Sequence, residues 1–280
     1  MKWSSLLSRV TSLGRDEVLA VIDKAAETYV KCPRIVHVEK PATRLTVCGD
    51  VHGQFEDMLS IFKQNGVPDI SNPYLFNGDF VDRGRNSKAC VLTLLLYRIL
   101  SPESMYLNRG NHELIEMNSY YGFKHELKDE LLFQRFNDLF ALFPLAHVIG
   151  GKIFVVHGGI PRKIFKVDSD KLTDEIYYEM LWNDPSEESG ITANPRGYGV
   201  HRFGPDITEK FLHVNGFDTL IRSHEMVQNG FEYSQNGKCI TVFSAPNYTG
   251  YYNNKGGYLT ISKNLLIEPH QFGENRKSRL

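Results

Sequence analysis

Four short polar segments, each punctuated by glycine, stand at the ends of apolar runs. They are Gly49-Asp50-Val51-His52-Gly53, Gly78-Asp79-Phe80-Val81-Asp82-Arg83-Gly84, Gly110-Asn111-His112-Glu113 and His157-Gly158-Gly159. Together they collect carboxylate, imidazole and amide groups, donors that suit manganese, iron or zinc. No thiolate joins them, so a soft-metal site is disfavoured. Asp50, His52, Asp79, Asn111 and His157 are the candidate ligands, and His224 in Arg222-Ser223-His224-Glu225 is another. Asp79 lies between the Asp50/His52 pair and Asn111, which makes it the natural bridging carboxylate. Two ions ~3.5–4 Å apart would share a hydroxide and hold it in line with a phosphorus atom.

The neighbouring residues suit the same chemistry. Arg83 follows the second segment, and its planar fork can grip two phosphate oxygens. Arg196, in the turn Asn194-Pro195-Arg196-Gly197, is a second candidate. His112 adjoins Asn111, so its ring is expected near the ions without binding them. Asp82 would fix its tautomer and raise its pKa, which suits a general acid for the leaving alkoxide. Taken singly, each of these residues reads as turn chemistry or a surface ion pair. Their joint recurrence at strand ends argues for one site. Arg109 and Arg222 read as braces for the loops, and Met117 and Tyr121 as packing residues.

One site requires elements that bring these segments together. Arg44–Cys48, residues 73–77 and Met105–Leu107 read as strands that end at the first three segments. Residues 55–64, with Met58, Leu59 and Phe62 on one face, and Ser87–Leu100 read as the intervening helices. Such a βαβαβ unit is right-handed and sends all three loops out at one edge of a parallel sheet, where ligands bind. Residues 1–40 read as a helical lead that ends at Pro33. Residues 111–144 read as mainly helical, with Leu131, Leu132, Phe136, Leu139, Phe140 and Phe143 as a buried stripe. Residues 152–156 form a strand into His157. Residues 219–221, 230–233, 239–243 and 257–261 read as short strands of a second, mixed or antiparallel sheet. At the end of strand 44–48, Asp50 and His52 are two apart and expected to point the same way. The 280 residues are expected to form a single catalytic domain with a polar tail at 271–280.

Composition narrows the function classes. The chain is 41% hydrophobic and 23% charged, as in an ordinary globular protein, and its formal net charge is −1. Neither nucleic acid nor an anionic membrane is indicated, and phosphate recognition must be local. The richest apolar stretch, 91–100, falls short of the ~20 residues of a membrane span. No signal peptide is apparent. Of the four cysteines, Cys32, Cys48, Cys90 and Cys239, none forms a C-x-x-C pair, and Cys48 and Cys239 are expected to be buried thiols. None has Arg six residues downstream, which sets aside phosphate chemistry through a Cys-x5-Arg loop.

The four segments, with Leu-Trp-Asn-Asp-Pro (181–185) and Ser-Ala-Pro-Asn-Tyr (244–248), resemble the signatures of the metal-dependent serine/threonine phosphoprotein phosphatases. The likeness covers about residues 30–270. It implies an α/β fold of the metallophosphoesterase type, a central β-sandwich of two mixed sheets flanked by helices. It implies two divalent ions, manganese in vitro and iron or zinc natively. Asp50, His52 and Asp79 would hold one, and Asp79, Asn111, His157 and His224 the other. His112 with Asp82 would be the acid pair, and Arg83, Arg196, Tyr248 and Asn111 would line the phosphate position. Phosphoprotein substrates, regulatory or targeting subunits and a cytoplasmic location, with the nucleus as a second, are the corresponding expectations.

Two departures from the pattern stand out. The interval from Arg196 to Gly204 is one residue longer than usual, which makes Arg202 a rival for the phosphate. Thr249 stands where relatives often carry Cys, which bears on toxin sensitivity rather than on activity. The reaction expected is hydrolysis of phosphoserine and phosphothreonine in proteins. A dinucleoside polyphosphate hydrolase on the same scaffold is the alternative. An inactive phosphatase-like binding scaffold is less favoured, because every expected ligand and His112 are present.

Overall fold

A computed structural model describes residues 2–167 and 172–273. The chain opens with helices α1 (Trp3–Leu7) and α2 (Arg15–Tyr29), then strands β1 (Ile35–Val38) and β2 (Arg44–Cys48). Next come α3 (Phe55–Asn65), β3 (Tyr74–Phe76), α4 (Ser87–Leu100) and β4 (Met105–Leu107). Three helices follow, α5 (Ile115–Asn118), α6 (Phe123–Leu127) and α7 (Glu130–Phe140). Strands β5 (Ala146–Ile149) and β6 (Ile153–Val156) lead to α8 (Asp174–Trp182). After these come β7 (Asp184–Pro185), β8 (Ile191–Ala193), β9 (His201–Phe203), α9 (Pro205–Asn215) and β10 (Thr219–Arg222). The remaining strands are β11 (Phe231–Ser234), β12 (Cys239–Val242), β13 (Gly256–Ser262) and β14 (Ile267–Phe272).

Two sheets carry the fold. The first has five strands in the order β14-β13-β2-β3-β4. Its β2, β3 and β4 run parallel, as the βαβαβ reading requires. The second has six strands in the order β1-β5-β6-β10-β12-β11 and mixes parallel and antiparallel pairs. A small sheet, β7-β9-β8, stands apart from both.

The period-two alternation of side chains explains the layers. Leu45 and Val47 of β2 point into a cluster with Val155, Ile221, Ile240 and Val242 of the second sheet. Cys48 of β2 instead joins Phe76, Met105 and Leu107 against α2, α3, α4 and α7. Residues of α8 and α9 cover the outer face of the second sheet through Met180, Leu181 and Phe211. The result is a sandwich between helices, and fully burying each such large side chain contributes about 1.5–3 kcal/mol. Helix starts follow capping chemistry: Asp129 accepts from Leu132 N at 3.0 Å, and Thr173 from Ile176 N at 3.3 Å.

Several expectations need correction. The lead over 1–40 is helical only to Tyr29, and its last part is β1, paired in parallel with β5. The 257–261 strand is the core of β13 and lies in the first sheet, antiparallel to β2. Strand β14 runs into the expected polar tail, whose residues 274–280 lie outside those described. Leu131 is exposed, and Phe133 fills the stripe instead. Cys48, Cys90 and Cys239 are buried. Among the described residues no helix is long and apolar enough to cross a membrane.

Candidate metal centre and active site

The loops after β2, β3, β4, β6 and β10 converge at one edge of the sandwich. An isolated parallel bridge between Asp50 and Phe243 joins the first sheet to the second there. The backbone does unusual work in these loops: His52 (φ 41°), Asp79 (55°), Asp82 (71°), Arg83 (67°) and His224 (68°) all sit in the left-handed region. That conformation disfavours side chains and costs on the order of 1–3 kcal/mol each, so surrounding structure must over-determine it. It does: Val51 and His52 both donate their N–H to Asp79 O, at 3.1 and 3.0 Å, and Gly84 N donates to His52 O at 2.9 Å. His52 therefore reaches the site by a turn, and the strand alternation invoked from its spacing to Asp50 does not apply.

Asp79 stands at the centre. Its Oδ2 is 3.5 Å from His52 Nε2, and its Oδ1 is 3.3 Å from His157 Nε2 and accepts from His112 N at 2.9 Å. Asp50 Oδ2 is 3.7 Å from His52 Nε2, and Asp50 Oδ1 accepts from His224 N at 3.1 Å. Both outer nitrogens are spoken for: His52 Nδ1 faces Val81 O at 2.8 Å and His157 Nδ1 faces Asn77 O at 2.7 Å. The inner Nε2 atoms are left for the site, the usual arrangement of ligating histidines. One donor atom from each of His52, Asp79 and His112 lies within 4.8 Å of the others, and the same holds for Asp79, His157 and His224. Asp79 is common to both groups.

These residues fit divalent cations on their own evidence. His224 Nε2 is buried without a hydrogen-bond partner. The Asn111 amide is ringed by acceptors: His157 Nε2 and His224 Nδ1 at 3.0 Å, and the Asp79 oxygens at 3.2 and 3.3 Å. Lone pairs converging in a buried space call for positive charge. The pKa directions agree. Burial opposes charge on His157, yet Asp79 and Asp50 override it and raise its pKa to about 9. Burial, with Asp79 adding to it, lifts Asp50 to about 7. Burial and the neighbouring His112 push His52 down to about 3.

The remaining candidates surround this centre. His112 Nδ1 lies 2.7 Å from Asp82 Oδ2, so the expected pair is formed, and its ring stands edge-on to His52. Burial works against charge on His112, but Asp79 and Asp82 outweigh it and raise its pKa. Arg83 is exposed, with its guanidinium 4.1 Å above the Tyr121 ring. Tyr248 lies on His52, centroids 5.2 Å apart. Arg196 is held by Asp184 Oδ2 at 2.6 Å and donates to His224 O at 3.3 Å. Arg202 lies on β9 with its Nε buried and unpaired, whereas Arg196 is bound to the main chain of His224. Arg109 and Arg222 are braces as expected; Arg222 is fully buried on Gly158 O, Asp184 and Glu225.

Sequence reasoning quoted Glu113 without giving it a task. Its carboxylate accepts the N–H groups of Asp79, Phe80 and Gly110, all at 2.8 Å. It clamps the turn that carries Asp79 to the turn that carries Asn111. A carboxylate immediately after Asn-His at a strand end was the available signal.

The calcineurin-like phosphoesterase family matches residues 43–228, and the chain belongs to that family. It is 45% identical over 257 residues to serine/threonine-protein phosphatase 5 of Arabidopsis thaliana, covering 85% of this chain and 47% of that protein. Against serine/threonine-protein phosphatase 5 of Homo sapiens the identity is 39% over 269 residues, 91% of this chain and 52% of the other. The chain thus spans about half the length of these curated relatives. A solved protein serine/threonine phosphatase from Saccharomyces cerevisiae, with similarity to human phosphatase PP5, superposes with a TM-score of 0.88 at 37% identity. That match covers 95% of this chain and 92% of the other.

The clamp makes a prediction. Glu113→Gln turns an amide NH2 toward backbone donors and leaves at least one N–H unsatisfied, at ~1–3 kcal/mol. Chemical denaturation should show a loss in that range. An unchanged unfolding midpoint would deny Glu113 its role.

Proposed function

We propose that this chain hydrolyses phosphoserine and phosphothreonine esters in proteins at a centre of two divalent ions. The observation that carries the reading is the membership of Asp79 in both candidate ligand groups. In this reading Asp50, His52 and Asp79 would hold one ion, and Asp79, Asn111, His157 and His224 the other; Asp50, 3.7 Å from His52 Nε2, stands in for His112 in the first group because His112 is paired with Asp82. Bound there, the ions supply Lewis-acid polarisation of the phosphoryl group and a nucleophilic water at neutral pH. Manganese, iron or zinc suits the mixed oxygen and imidazole set.

The chain's own residues do the rest. Arg83, Arg196, Asn111 and Tyr248 orient the phosphate. Asp184 and the His224 carbonyl hold Arg196 against the ligand residues, which favours it over Arg202. Asp82 accepts from His112 Nδ1 and from Phe123 N at 2.9 Å, so it holds the imidazole while Nε2 delivers a proton to the leaving oxygen. The relatives' names, serine/threonine-protein phosphatase, support a protein substrate. The Leu181–Pro185 and Ser244–Tyr248 segments favour it over a dinucleoside polyphosphate.

Protein supplied with manganese should cleave a phosphothreonine peptide faster than diadenosine polyphosphate, and Asp79→Asn should abolish the activity. The reverse substrate order would support the alternative hydrolase, and full activity in that variant would sink the shared-carboxylate reading. His112→Asn should lower turnover by ~10²–10⁴-fold while metal content stays at two per chain; loss of metal would make His112 a ligand instead.

The pH profile tests the pair separately. A general acid acts protonated, so turnover falls as pH rises through its pKa. The Asp82 charge favours protonated His112, so Asp82→Asn should move the alkaline limb of kcat to lower pH. A limb that stays in place would remove Asp82 from the proton transfer.

A further inference from the structure

Beneath the centre, between the two sheets, runs a line of polar side chains that the reaction does not use. Asn77 follows β3, Asn108 follows β4, and His147 lies in β5; their exposures are 0, 0 and 2%. Asn77 Nδ2 donates to Val156 O at 2.8 Å and to Ser223 Oγ at 2.9 Å. Asn108 Nδ2 donates to Asn77 Oδ1 at 2.7 Å and to Val155 O at 3.1 Å. His147 Nδ1 lies 2.6 Å from Asn108 Oδ1.

The direction of this line has one solution. The carbonyls of Val155 and Val156 only accept, so both amide nitrogens must face β6. The Asn108 oxygen is then left for His147, whose Nδ1 must carry the hydrogen. Burial, with the Arg98 charge added, lowers the His147 pKa to about 3, so the ring is a neutral donor. At the other end, Asn77 O faces His157 Nδ1 at 2.7 Å, and Ser223, which Asn77 also holds, immediately precedes His224. Ser223 N in turn donates to His157 O at 2.9 Å.

We propose that His147 is a positioning residue that, through Asn108 and Asn77, holds the His157 and His224 half of the metal centre in place. The inference rests on reading those two histidines as metal ligands. Without the His147 donor, the buried Asn108 Oδ1 loses its hydrogen-bond partner. The hold of Asn108 on the Asn77 side chain then slackens, and with it the placing of the Asn77 main-chain carbonyl on His157 Nδ1 and of Ser223 beside His224. Outer partners of this kind govern metal affinity by about 10–100-fold.

Titration of the metal-free chain with Mn²⁺, read by calorimetry, tests it. In His147→Leu one of two ions should bind about 10–100-fold more weakly while the other is unchanged. In His147→Gln, whose amide can donate to Asn108, affinity should return toward wild type at equal thermal stability. Wild-type affinity in the Leu variant, or equal weakening in both variants, would overturn the proposal. A wild-type protein that binds a single ion would instead overturn the two-ion reading beneath it. Should the Leu variant not fold, nitrogen-15 NMR of the histidine side chains in the wild-type chain decides: His147 should be a neutral Nδ1–H tautomer, and an Nε2–H form would end the idea.

Discussion

The Asp79 carboxylate is buried between His52 and His157, one oxygen toward each, and the surrounding turns hold it there. Taking such a charge out of water costs several kcal/mol unless it is paired. Its partners are the His112 N–H and the imidazoles around it, and despite burial their combined pull holds its pKa well below the usual carboxylate range. The glycines on either side follow from this crowding. A Cβ on Gly110 would lie 2.2 Å from Asp79 Oδ1. At Gly78, whose φ is 93°, it would lie 2.6 Å from the Gly110 backbone and 2.8 Å from His157 Nδ1. A side chain at Gly110 would displace the carboxylate, and one at Gly78 would displace Gly110 or His157.

The same constraint explains the braces. Five residues in left-handed backbone at one site store strain that the two sheets and their buried polar groups must offset. Glu113 ties two turns together from below. Arg222, fully buried, ties Asp184, Glu225 and Gly158 to the end of β10, and Asp184 then aims Arg196. Removing one partner of a buried pair like Arg222–Asp184 costs ~3–5 kcal/mol. Arg196 thus takes its place from Asp184, which the buried Arg222 holds.

Much of this was legible locally. Strands β2, β3 and β4 are short apolar runs closed by glycine, and α3 and α4 keep a helical period, so the parallel unit and its shared edge could be read directly. The candidate ligands stood out by recurring at those ends. What escaped depends on distant partners. Strand β1 is four residues long and is defined by its pairing with β5, over a hundred residues away. The 257–261 run was recognisable as a strand, but only pairing with β2 decides its sheet. The turn at His52 is set by Asp79 O, and the link from His147 to Asn77 joins three elements; a period-based reading contains neither. Leu131 shows the limit of apolar counting, since its place on α7 faces solvent.

One carboxylate, Asp79, is common to both candidate ligand groups. Electron paramagnetic resonance of the chain loaded with two equivalents of Mn²⁺ tests most directly whether it joins two ions. A carboxylate shared by two ions ~3.5–4 Å apart predicts an exchange-coupled Mn(II) pair. Two isolated, uncoupled Mn(II) signals at full occupancy would contradict it.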